Sequence, residues 1–188
     1  MSIKHFFAAA IAAITLFVAP AQAQKLFTRD GVVSFDATSA NSPEAIKGVN
    51  KSGTCVLDKS SGAVEMAVLV KGFLFEKALM QEHFNENYLE SSKFPKATFK
   101  GKLDNASAVN LDKDGTYKVN ATGTLTMHGV TKPVNTPVTF TVKGGKLSAA
   151  VNFAVSMADY NIAIPSLVGD KVSKTANISI VANLNPMK

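Results

Sequence analysis

Tyr117-Lys118-Val119-Asn120-Ala121-Thr122-Gly123-Thr124-Leu125-Thr126 is the stretch that decides the fold. Tyr117, Val119, Ala121, Gly123 and Leu125 fall on one side, and Lys118, Asn120, Thr122, Thr124 and Thr126 on the other. Alternation over that length marks a half-buried antiparallel strand, one face on a core and one in water.

The same period recurs on both sides of this stretch. Ala97, Phe99, Gly101 and Leu103 alternate with Thr98, Lys100 and Lys102, and a polar loop through Asp112-Lys113-Asp114-Gly115 separates them from Tyr117. Beyond it, His128-Gly129 and Lys132-Pro133 form the expected break. Val134, Val138, Phe140 and Val142 then run to Gly144-Gly145, a strong hairpin signal, and Leu147, Ala149, Val151, Phe153 and Val155 return. The last strand carries Ala176, Ile178, Ile180, Ala182 and Leu184. Upstream, strands are expected over Gly31–Ala37, Ile46–Asp58 and Ala63–Val70, the last two joined by a turn at Ser60-Ser61-Gly62. From Phe75 to Glu90 the period changes: Phe75, Leu79, Met80, His83, Phe84 and Tyr88 recur at three- and four-residue steps, an amphipathic helix that Phe94-Pro95 ends.

The expectation is an all-β domain: an antiparallel β-barrel of about eight strands with one main amphipathic helix near one end. A barrel of that size holds side chains or a single ligand. A two-sheet sandwich fits the same pattern. The small inward residues Ala121, Gly123, Ala149, Ala176 and Ala182, and a helix available to lid one end, favour the barrel.

The first residues read as an address. Lys4 and His5 precede an apolar run, Phe6–Val18, too short to span a bilayer, and Ala21-Gln22-Ala23 suits a signal peptidase. Residues 1–23 are therefore expected to be a cleaved signal peptide, with 24–188 the single mature domain. Cys55 is the only cysteine, so no disulfide forms within the chain; a buried, inert thiol is expected. The formal charge is +6, spread over scattered lysines with a single arginine, Arg29, and no tryptophan. Nucleic-acid readers cluster arginines, so no nucleic-acid partner is expected; a dispersed lysine surface serves solubility or weak contact with an anionic membrane surface.

Two segments carry a resemblance. Leu79-Met80-Gln81-Glu82-His83-Phe84 with Phe94-Pro95-Lys96-Ala97-Thr98-Phe99-Lys100-Gly101, and Gly123-Thr124-Leu125-Thr126-Met127-His128-Gly129-Val130-Thr131-Lys132-Pro133-Val134, resemble the YceI-like family, as does Asp159-Tyr160-Asn161-Ile162 before the final strand. The resemblance spans about Gly31 to Leu184. It implies a lipocalin-like barrel exported to the periplasm, in a family of which some members bind polyisoprenoid or isoprenoid-quinone lipids and which has no agreed catalytic motif.

A tail of that kind needs buried area rather than polar partners. At roughly 25 cal/mol per Å², a few hundred Å² supplies most of a micromolar affinity before the costs of binding. Candidate wall residues are Phe99, Leu125, Phe140, Val151, Phe153 and Ile178, with Phe73, Phe75, Leu79, Met80 and Phe84 lining a helical lid. Each also fits a packed core. His83 anchors the helix or meets a polar head group, and His128 fixes the Met127–Lys132 turn. Tyr160 places its ring in the cavity mouth or acts as an aromatic stopper. The spacing of His83 and His128 suits no metal, and no cofactor is expected. Two other classes stay open: a surface-interaction module with a filled barrel, and an enzyme drawing on Cys55, His83, His128, Asp159 and Tyr160. The sequence does not fix the oligomeric state, with which a homodimer is compatible.

Overall fold

The computed structural model describes residues 25–187; the leader and its cleavage site lie outside the described residues. Eight strands run in order: β1 (Lys25–Thr38), β2 (Lys47–Asp58), β3 (Ala63–Leu69), β4 (Lys96–Leu103), β5 (Gly115–Met127), β6 (Val130–Lys143), β7 (Lys146–Ser156) and β8 (Val172–Pro186). Each pairs antiparallel with the next, and β8 returns to β1, so the sheet closes into a barrel rather than splitting into a sandwich. Closure pairs every strand on both sides over part of its length, leaving the upper half of β6 unpaired on the β7 side. The helical segment, α1 (Ala78–His83) continued by a π turn over Phe84–Tyr88, lies in the β3–β4 connection. That connection shares the upper end of the barrel, where β1 finishes, with the β1–β2 loop, the β5–β6 hairpin and the long β7–β8 connection.

Three boundaries differ from the sequence reading. β1 begins at Lys25, not Gly31, because its register with β2 shifts between Thr28 and Gly31 and again before Val33. A bulge of this kind breaks the alternation without ending the strand. Lys132-Pro133 is no break: β6 runs from Val130 through both Pro133 and Pro137. β7 pairs with β6 only from Val138 onward, so on that side the prolines face no ladder that needs their missing N–H. The helix is shorter than Phe75–Glu90. Leu74 is captured by β2, exchanging backbone hydrogen bonds of 2.9 and 3.0 Å with Val49, and Glu90 turns left-handed at φ 42°.

The two tight hairpins are chemically distinct. Gly144-Gly145 is the pair that a two-residue turn with positive φ favours. His128-Gly129 makes the same turn, with a histidine at φ 51°.

Buried side chains form two clusters. The lower one contains Leu26, Cys55, Leu57, Leu103, Val119, Phe140, Val142, Leu147 and Leu184. The upper one gathers Phe35, Val68, Val70, Phe73, Phe84, Leu89, Tyr160 and Ile162 under the helical segment. Phe84 stacks on Phe35 at 5.1 Å between centroids and 14° between planes, and Phe73 and Phe75 flank it at 5.5 and 5.0 Å.

Candidate functional site

Between the two clusters the barrel is hollow. A cavity of about 580 Å³ runs down its interior, within the usual ~300–1,000 Å³ range of small-molecule sites. Met66, Phe99, Leu125, Val151, Phe153, Ile178 and Ile180 all face inward and line it, yet each is only partly buried. In a filled barrel these central positions would be the most buried of all, so their residual exposure is exposure to the lumen.

The mouth is at the upper end. The exposed lining residues are Pro43 from the β1–β2 loop, Lys77, Leu79 and His83 from the start and face of α1, and Lys171 just before β8. Lys77 pairs with Glu44 across the opening. Leu79 is 61% exposed there, and Leu167, beside the lining residue Val168, is 86% exposed. Below, the lining ends on Leu57, Leu103, Phe140 and Leu184, all buried in the lower cluster.

The interior carries almost no polarity. Thr136 turns a buried hydroxyl with no hydrogen-bond partner toward the cavity lining. Cys55 also lines the cavity, and burial pushes its thiol up to about 11. An unionised thiol is a poor nucleophile.

Twelve of the residues singled out from sequence lie on this one surface: Phe73, Phe75, Leu79, Met80, His83, Phe84, Phe99, Leu125, Phe140, Val151, Phe153 and Ile178. Tyr160 does not. It is buried in the upper cluster, outside the cavity lining, where burial and the nearby Asp159 charge raise its phenol above the ordinary range. That is the stopper position, not the mouth. His83 is exposed at the mouth and so does not anchor the helix to the barrel.

His128 does more than fix its own turn. Its Nδ1 lies 2.9 Å from the Tyr160 carbonyl oxygen and its Nε2 2.8 Å from Glu90 Oε2, with the Phe94 ring edge-on at 4.8 Å between centroids. Cys55, His83 and His128 are thus spread over the lower cluster, the mouth and an outer knot, rather than gathered into one reactive group. Among the described residues no group of three or more His, Cys, Asp and Glu could hold a metal ion.

The sequence reading missed Val33, Phe35, Ile46, Val68 and Ile180 as lining residues, along with Met66 and Thr136. Most share the inward parity of the residues that were named, and that parity was the available signal.

The YceI-like domain family matches residues 24–184. Three solved structures share the fold. A polyisoprenoid binding domain from Saccharophagus degradans, implicated in plant cell wall breakdown, has a TM-score of 0.76 at 13% identity, covering 88% of this chain and 100% of that one. BcnA of Burkholderia cenocepacia has a TM-score of 0.64 at 20% identity, covering 81% and 96%. The YCEI protein of Campylobacter jejuni has a TM-score of 0.51 at 17% identity, covering 96% and 98%. A search of curated protein sequences gives no match.

Proposed function

This chain belongs to the YceI-like domain family, and we propose that it is an exported protein that sequesters or carries an apolar isoprenoid-type lipid, a polyisoprenoid or an isoprenoid quinone, in its barrel. The observation that carries this reading is a long, nearly unbroken apolar cavity with one mouth, lined by inward side chains that do not fill it. Such a lumen suits one flexible tail. The polyisoprenoid binding of the Saccharophagus domain supports the same ligand class.

The mechanism is sequestration. The tail enters between the β1–β2 loop and α1, and its burial against phenylalanine, methionine and aliphatic wall supplies the affinity. A head group then rests among Lys77, His83 and Lys171, at the only strongly polar part of the lining. Exposed Leu79 and Leu167 beside Lys171 give that end the mixed apolar and cationic character that suits collection of a tail from an anionic membrane surface. The signal-peptide character of residues 1–23 and the family support the periplasm as the compartment.

Native mass spectrometry of gently purified protein, with extraction of whatever leaves, tests this. A stoichiometric isoprenoid lipid is the expected result. A bare mass that stays bare after exposure to quinones and polyprenols would overturn the carrier reading and favour a module acting through its lysine-rich surface.

A further inference from the structure

β6 contributes Val134, Thr136, Val138 and Phe140 to the cavity lining. Three are apolar and one is not. Thr136 is 6% exposed, and its hydroxyl has no hydrogen-bond partner. An orphaned buried hydroxyl costs stability that a valine of the same shape would not. The ladder explains why the hydroxyl finds nothing in the protein. β6 and β7 pair from their hairpin up to Val138 and Val151. The register would next join Pro137 to Asn152, and proline has no N–H to give. β7 has therefore parted from β6 at the level of Thr136 and offers it no carbonyl. Water does not resolve the orphan either, because a buried water needs about two to four polar partners. The inward neighbours of Thr136, which are Val134 and Val138 on its own strand and Ala121 across the ladder, supply none.

We propose that Thr136 is a specificity-determining residue of this cavity: its hydroxyl donates a hydrogen bond to an uncharged oxygen, an alcohol, ketone or epoxide, carried at mid-tail by the bound lipid. This rests on the lipid-binding reading above. A tail already held by its apolar length needs no other partner for that oxygen. The hydroxyl is covered in the empty barrel, while the residue itself still lines the lumen. Rotation by one staggered well about Cα–Cβ puts the hydroxyl where the methyl stands. The depth of the contact is fixed. Thr136 lies six positions below Val130 at the rim, which at about 3.4 Å per residue and a strand tilt of about 40° is about 15 Å down the barrel.

Oleic and ricinoleic acids test this, because they differ by one hydroxyl at the twelfth carbon, eleven bonds from the carboxylate. Wild type, Thr136→Val and Thr136→Ser are exposed to equal mixtures of the two acids, and separately to geranylgeraniol, and the retained lipid is read by native mass spectrometry. Wild type retains ricinoleic over oleic acid by about fivefold, the value of one net hydrogen bond. Thr136→Val brings the ratio to about one, and Thr136→Ser, which keeps the hydroxyl, restores the preference. Without lipid, Thr136→Val unfolds at an equal or higher urea concentration, since it removes an orphan and no bond. A lower urea midpoint for Thr136→Val would show the hydroxyl already partnered and overturn the proposal. The same acid ratio in wild type and Thr136→Val, or geranylgeraniol retained with neither acid, overturns the role of Thr136 alone. No lipid retained by any of the proteins overturns the lipid reading and the role of Thr136 with it.

Discussion

At the residue scale, the three non-glycine residues with positive φ among the described residues, Glu90 (φ 42°), His128 (φ 51°) and Asn161 (φ 56°), meet in one knot. Glu90 supplies the carboxylate and Tyr160, just before Asn161, the carbonyl that His128 joins. Such conformations persist only where the surroundings over-determine them. Histidine and asparagine tolerate this region better than most residues. His128→Ala removes its contacts with the Tyr160 carbonyl and the Glu90 carboxylate, so stability falls by about 1–3 kcal/mol, read as a lower urea midpoint with unchanged slope. His128→Asn loses less, because asparagine accepts the backbone. Equal losses in the two variants would contradict this account. Cys55 gives a second residue-scale expectation. With its thiol raised from an ordinary 9.0 to about 11 by burial, it reacts slowly with thiol reagents at pH 8 in the native protein and fast once unfolded. The neutral thiol favours the fold, so its contribution is whole below pH 9 and declines as pH rises from there toward 11. Fast labelling of native protein would show the lower cluster to be open.

At the element scale, α1 is too short to persist by itself, and its place is set by what holds its ends. Phe84 at its C-terminal side is stacked on Phe35, and the chain beyond is tied through Glu90 to His128. The N-terminal side is held by the Leu74–Val49 backbone pair and by Phe75 packed on Phe35 and Phe84, with the exposed Lys77–Glu44 pair added across the mouth. A surface pair of this kind contributes ~0–1 kcal/mol and is screened by salt. The helix is therefore held on both sides, and the Lys77–Glu44 pair is a weak added latch over the mouth. Glu44→Gln should speed lipid uptake and release together, leaving affinity and thermal midpoint nearly unchanged, and added salt should bring wild-type exchange rates toward those of the variant. Stopped-flow exchange of a fluorescent polyene lipid measures this; unchanged rates would place the latch elsewhere. The helical period of this segment is legible in the sequence, but its limits are not. Its start is fixed by capture of Leu74 by Val49, a contact with a strand more than twenty positions away.

At the scale of the whole molecule, the hollow interior means that folding leaves apolar wall unsatisfied until a ligand arrives. A tail that binds only the folded barrel should raise its unfolding free energy by about 2.7 kcal/mol at a concentration one hundred times Kd. Urea titrations with and without the lipid identified by mass spectrometry check this, and an unchanged midpoint would argue for binding outside the barrel. What the sequence determined by itself is local: alternation assigns each residue of a strand to the inside or the outside, turn residues mark the hairpins, and a three-to-four step marks the lid. It was enough for eight strands, one helix and twelve of the residues now found on the cavity surface. The bulge in β1 and the prolines of β6 were misread because both interrupt the pattern without interrupting the strand. Only the tertiary structure decided that the sheet closes, that its centre stays open, that Tyr160 packs outside the cavity and that the Thr136 hydroxyl has no partner. The reason is that inward direction is a property of one strand. Whether inward side chains meet across the middle depends on the diameter and stagger that all eight strands set together.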